Sequence, residues 1–98
     1  MRLTSIDPGN TQSAVVILDG DRIEFKGIYP NDDVREALNR GNLRSEILLL
    51  EKVASYGMPV GEEVFETVYW SGRFAEAWGD DPVERLTRNQ IKMALCYR

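Results

Sequence analysis

Leu3 to Gly27 reads LTSIDPGNTQSAVVILDGDRIEFKG, and three short strands joined by two turns are written in it. Leu3 to Ile6 runs into Asp7-Pro8-Gly9-Asn10, where Pro and Gly hold the two central positions favoured by a type II turn, so a first strand ends there. Ser13 to Leu18 contains Ala-Val-Val-Ile-Leu, a β-branched run too short for an ordinary helix, and reads as a strand buried on both faces. Asp19-Gly20-Asp21 follows, and a D-G step between apolar runs is a hairpin signal. Ile23, Phe25 and Gly27 then alternate with Glu24 and Lys26, as in a strand with one wet face.

Beyond this meander the pattern changes to alternating helices and strands. Asn31 can cap a helix with Asp32 and Asp33 in its first turn, Val34, Ala37 and Leu38 on its apolar side, and Gly41 closing it. Ile47 to Leu50 is a second wholly apolar strand, cut off by Glu51, and Lys52 to Gly61 is a loop punctuated by Gly57, Pro59 and Gly61. Glu62 to Trp78 is the longest helical pattern, with Gly79 just past its end. It carries two apolar stripes, one through Val64, Val68, Gly72 and Ala75 and one through Trp70, Phe74 and Ala77, more than a single core readily buries. Val83 to Leu86 reads as a short strand, and Thr87 with Gln90 matches a capping box opening a last helix. The expected class is α/β: a three-stranded antiparallel meander followed by parallel strands and helices in one mixed sheet. The right-handed crossover rule lays Ile47 to Glu51 parallel to Leu3 to Asp7.

Composition narrows the chemistry. The 98 residues suit one domain, and an apolar fraction of 43% with 29% charged residues describes an ordinary globular chain. No apolar run approaches membrane-spanning length and Asp7 comes too early for a signal peptide, so the expected setting is cytoplasmic, away from membranes. The sequence has no histidine and one cysteine, Cys96, which removes Ser-His-Asp and Cys-His catalysis and histidine-bound zinc. Carboxylates are left as the reactive or metal-binding groups. A net charge of −4 weighs mildly against nucleic acid, although carboxylates that hold cations are counted in that sum.

If the two parallel strands are neighbours, Asp7 and Glu51 end them about 4.8 Å apart, at the carboxyl edge where α/β sheets place ligands. Two like charges there raise one another's pKa until a proton or cation compensates. Magnesium suits such a pair, taking oxygen ligands and keeping waters that can attack a phosphate. A plainer account exists for each residue. Asp is favoured at the first position of a turn such as Asp7-Pro8-Gly9-Asn10, and Glu51 can pair with Lys52 or reach water at a strand end.

Ser5-Ile6-Asp7-Pro8-Gly9, followed by Ser13-Ala14-Val15, resembles the first catalytic strand and hairpin of RuvC-like Holliday junction resolvases. Leu50-Glu51-Lys52-Val53-Ala54-Ser55-Tyr56-Gly57-Met58-Pro59-Val60-Gly61, with Val64-Phe65-Glu66-Thr67 and Gly72-Arg73-Phe74 beyond it, is similar to the second carboxylate and following helix of phage and prophage members. The resemblance spans about Arg2 to Met93 and implies a ribonuclease H-like fold and a homodimer. It also implies magnesium- or manganese-dependent cutting of branched DNA, with Asp7 and Glu51 matching the first two catalytic, metal-binding carboxylates. One or two further acids belong on a helix near the family's C-terminus that has no counterpart here. The chain therefore reads as one RuvC-like domain over residues 1–98, C-terminally incomplete, with Asp80 and Asp81 matching no missing acid.

Four more residues are candidate DNA contacts. Tyr56 lies in the loop after Glu51, a region the family uses at the junction, and either stacks on a base or packs in the core. Arg85, Arg88 and Lys92 either meet phosphates along the last helix or form a solvated face. Trp70 and Phe74 mark a dimer surface or the seat of the absent helix. Two rival readings remain beside the nuclease. One is a truncated, non-catalytic DNA-binding or structural remnant. The other is a fragment of the actin-like ATPase and sugar kinase group, whose phosphate loop also follows a first strand with Asp, Gly and Thr, as Asp7, Gly9 and Thr11 do.

Overall fold

A computed structural model describes residues 1–53 and 61–91. Tyr56 and Lys92 lie outside the described residues. The elements follow in the order β1 (Arg2–Asp7), β2 (Gln12–Asp19), β3 (Arg22–Pro30), α1 (Asn31–Asn39), β4 (Ile47–Glu51), α2 (Glu62–Trp78) and β5 (Val83–Leu86). They build one five-stranded sheet in the order β3-β2-β1-β4-β5. The first three strands form the antiparallel meander, β4 runs parallel to β1 with Ile6 opposite Leu50, and β5 runs parallel to β4 with Leu86 opposite Glu51. The class is the expected α/β mixed sheet.

Both helices belong to the core on one face of the sheet. Ile6 from β1, Val15 and Ile17 from β2, and Leu48 and Leu50 from β4 form one buried cluster with Val34 and Leu38 of α1 and with Trp70, Phe74 and Trp78 of α2. Helix α1 ends at the expected glycine: Gly41 adopts φ +77°, its N–H donates to the Leu38 carbonyl, and the Asn42 N–H donates to the Ala37 carbonyl. This left-handed closure satisfies two carbonyls that the helix itself leaves open.

Four expectations need correction. Trp70 and Phe74 are 8% and 0% exposed, so they are core residues and not a contact surface. The wet apolar residues of α2 are Phe65, Val68 and Tyr69, because the sheet buries the face with the larger rings. Asn31 does not cap α1 through its side chain; Pro30 precedes the helix and the buried Asn31 amide is used elsewhere. The one-wet-face reading of β3 fails too, since Ile23, Phe25, Ile28 and Tyr29 are all at least 37% exposed. Val15, Ile17, Phe25, Tyr29 and Val34 instead line an open cavity of about 470 Å³ at this edge of the sheet. Lastly, Gly9 is not among the glycines with positive φ, so the turn after β1 is not type II. Its glycine answers to crowding: a Cβ there would lie 2.2 Å from the Gln12 carbonyl oxygen.

Candidate active site

Strand pairing sets where the acids go. Ile6 and Leu50 point into the helix-covered core, and Asp7 and Glu51 follow them at the carboxyl ends of adjacent parallel strands, where Thr67 of α2 also reaches. Their side chains lie close enough for Glu51 to raise the Asp7 pKa, and both line one cleft. Glu51 is only 8% exposed, whereas Asp7 stays accessible at the rim. Pro8, Lys52, Val53, Thr67 and Arg88 complete a cleft of about 100 Å³ around the pair.

The electrostatics are those of two acids short of positive charge. The Asp7 carboxyl is pushed up from 3.8 to about 6, first by partial withdrawal from water, then by the hydrogen bond to Glu51 and by the Glu51 charge, with Arg88 pulling the other way. Arg88 reaches Glu51 directly, its Nε donating to Oε1 at 2.7 Å. One guanidinium therefore offsets part of the charge of the pair.

Residues behind Asp7 hold the turn in place. The Gly9 N–H donates to Ser13 Oγ at 3.2 Å, the Ser13 hydroxyl donates to Asn31 Oδ1, and Asn31 Nδ2 donates to the Gly9 carbonyl at 2.9 Å. The closed triangle ties the turn after Asp7 to β2 and to the start of α1. Ser13 and Asn31 are both 2% exposed, so deleting either leaves buried polar partners unmet. Sequence reading placed Ser13 in a strand and Asn31 at a cap; nothing local announced that they meet.

The expected DNA contacts separate. Arg85 is on β5, not on the last helix; it pairs in register with Leu50 and lines a small cleft beside α2 with Val68 and Ser71. Arg88 opens the helical stretch 88–91 and points to the carboxylates. The two arginines line different clefts. Thr67, Lys52 and Pro8, not singled out from sequence, are the additional cleft walls.

No model of a known protein family matches the chain, and no curated protein does. Solved structures do match. A Thermus thermophilus RuvC in complex with a Holliday junction substrate aligns with TM-score 0.66 and 16% identity, over 98% of this chain and 70% of that one. A second Thermus thermophilus RuvC structure aligns with TM-score 0.64 and 20% identity, over 97% and 69%. A ROK hexokinase from Thermus thermophilus aligns more loosely, with TM-score 0.53 and 21% identity, over 89% of this chain and 35% of that one. At such identities the likeness establishes the fold, which is RuvC-like and of the ribonuclease H type.

Proposed function

We propose that this chain is a metal-dependent endonuclease domain of the phage RuvC-like resolvase type, acting on phosphodiesters of branched DNA. The observation that carries the reading is the convergence of Asp7 and Glu51 at the carboxyl ends of β1 and β4, with Asp7 held at about 6. Structural carboxylates in a fold normally gain from ionising; a pair placed against each other, at a cost, marks a site that takes a cation. Likeness to a RuvC bound to a Holliday junction substrate supports the same substrate class for this chain.

The donor set fits a hard divalent cation. Both side chains offer carboxylate oxygens, which suit Mg²⁺ or Mn²⁺, and their unmet charge is of the sign such an ion supplies. Bound there, the ion would activate a water and stabilise charge on the scissile phosphate. The chain's own residues supply the rest. Asp7 and Glu51 hold the ion, the Ser13–Asn31–Gly9 triangle fixes the turn beside it, and the outward face of α2 with Phe65, Val68, Tyr69 and Gly72 pairs with a second copy. Tyr56 and Lys92 would meet DNA from segments flanking the cleft in sequence.

One observation favours a second reading. Among the described residues no group of three or more acidic or thiol side chains converges, and two-metal hydrolysis needs ligands on ions about 3.5–4 Å apart. A domain that binds branched DNA without cutting it fits that shortage. Gel shifts and cleavage assays on a four-way junction, with Mn²⁺ or EDTA, separate the two. The nuclease reading expects junction binding, with any cleavage Mn²⁺-dependent and lost in Asp7→Asn and Glu51→Gln. Junction binding with no cleavage at any Mn²⁺ concentration supports the binding module, and no preference for the junction over duplex refutes both.

A further inference from the structure

The buried acid of the pair already has a cation, and it comes from the chain itself. Glu51 is 8% exposed, and an ionised carboxylate so far from water requires a partner. Arg88 provides it at 2.7 Å, with its own side chain 57% exposed, so the guanidinium reaches in from solvent without being packed into the core.

The placement of Arg88 is fixed from both sides. The Lys52 N–H donates to the Leu86 carbonyl at 2.6 Å, tying the end of β5 to the residue after Glu51. Next, Thr87 and Gln90 make a reciprocal capping box: the Thr87 N–H donates to Gln90 Oε1 at 2.9 Å, and the Gln90 N–H donates to Thr87 Oγ1 at 3.1 Å. Arg88 thus stands immediately after a rigid cap, in a first helical turn where the helix dipole disfavours positive charge. The partner that the structure gives it across the cleft is Glu51.

Resting on the proposed metal site, we infer that Arg88 is a built-in counter-cation of the Asp7–Glu51 pair, which a divalent metal must displace from Glu51 before it binds. The Nε–H takes up one oxygen of Glu51 at 2.7 Å, and the guanidinium lines the same small cleft as Asp7, so a dication entering there meets like charge. Arg88 therefore lowers metal affinity and keeps the acids paired while no metal is present. Once displaced, it remains at the rim, a cation beside the site that a phosphate would enter.

The test is Mn²⁺ binding, measured by the loss of free-ion EPR signal on the whole chain at pH 7.5. Removing a charge-assisted hydrogen bond of a half-exposed pair should tighten binding roughly tenfold in Arg88→Gln, with Arg88→Lys in between. Adding Glu51→Gln to Arg88→Gln should cancel the gain. Equal or weaker binding by Arg88→Gln overturns the inference and leaves the metal site standing, whereas no Mn²⁺ binding by wild type or variants overturns both. Should the variants fail to fold, the Arg88 Nε–H resonance of the wild type reports the same event. It should shift on saturation with Mg²⁺, and a resonance that stays put refutes displacement.

Discussion

Lowering the pH should stabilise this protein in the absence of metal, against the usual behaviour of a domain rich in paired carboxylates. The cause is Asp7, raised from 3.8 to about 6. A group whose folded pKa lies above its unfolded value contributes stability that is complete below about 3.8 and lost as pH climbs through about 6. At about 1.4 kcal/mol per pKa unit the full difference is about 3 kcal/mol, of which about half falls between pH 5 and 7.5. Asp7 is solvent-accessible, so screening reduces that half to about 0.5–1 kcal/mol, worth roughly 3–6 °C in Tm for a chain of this size. The window is unusually clean because the sequence has no histidine to titrate within it. Thermal melts by circular dichroism at constant ionic strength in EDTA should show Tm falling from pH 5 to 7.5. Asp7→Asn, which imitates the protonated acid, should raise Tm at pH 7.5 and flatten the profile. A wild-type Tm that is level or rises over this range, or an Asp7→Asn variant that keeps the wild-type slope, would refute the account of the pair.

Two further perturbations probe the frame around the site. Gly9→Ala forces a methyl to within 2.2 Å of the Gln12 carbonyl and should cost about 1–3 kcal/mol in urea melts, since backbone rather than a flexible side chain must yield; an unchanged midpoint would mean that the turn is looser than its geometry. Phe74→Ala should cost about 3–5 kcal/mol as a core truncation, whereas Phe65→Ser with Tyr69→Ser should change stability by under about 1 kcal/mol and convert a dimer to a monomer in light scattering. A wild type that is monomeric at all concentrations would remove the pairing of α2 faces.

What the sequence revealed and what it hid divide along a physical line. Period-2 and period-3.6 patterns are local, and they carried the order of elements along the chain, the bounds of α2 and the Gly41 closure, while the crossover rule carried the parallel pairing of β1 with β4. The capping box at Thr87 and Gln90 is likewise a three-residue signal, and both of its hydrogen bonds form. Two stripes on α2 were visible, but a helical wheel does not say which stripe a sheet will take; volume decided it, and Trp70, Phe74 and Trp78 went inside. The Ser13–Asn31 bond and the Arg88–Glu51 pair join residues 18 and 37 positions apart, so no window along the chain contains them. Glu51 was legible because it breaks an apolar run, and Asp7 only through the strand pairing that sets it beside Glu51; their partners break no local pattern.

The same turn bears on which of the two kinds of protein with a similar fold this chain resembles in its site. A hairpin that cradles a nucleotide phosphate does so with backbone N–H groups turned toward the anion. In Asp7-Pro8-Gly9-Asn10-Thr11, Pro8 has no N–H, and the Gly9 N–H is spent on Ser13 Oγ at 3.2 Å. The Asn31 amide, which another arrangement would aim outward, is likewise spent, on the Gly9 carbonyl. Pro8 and Gly9 therefore offer no free N–H to an anion, while the strand ends beside them present two carboxylates to a cation. A second acid from β4 within hydrogen-bonding reach of Asp7 adds like charge where a bare phosphate would have to approach. Such an arrangement favours cation first and phosphate only through it, the order of binding that a metal-dependent nuclease requires and that a phosphate cradle of backbone amides does not.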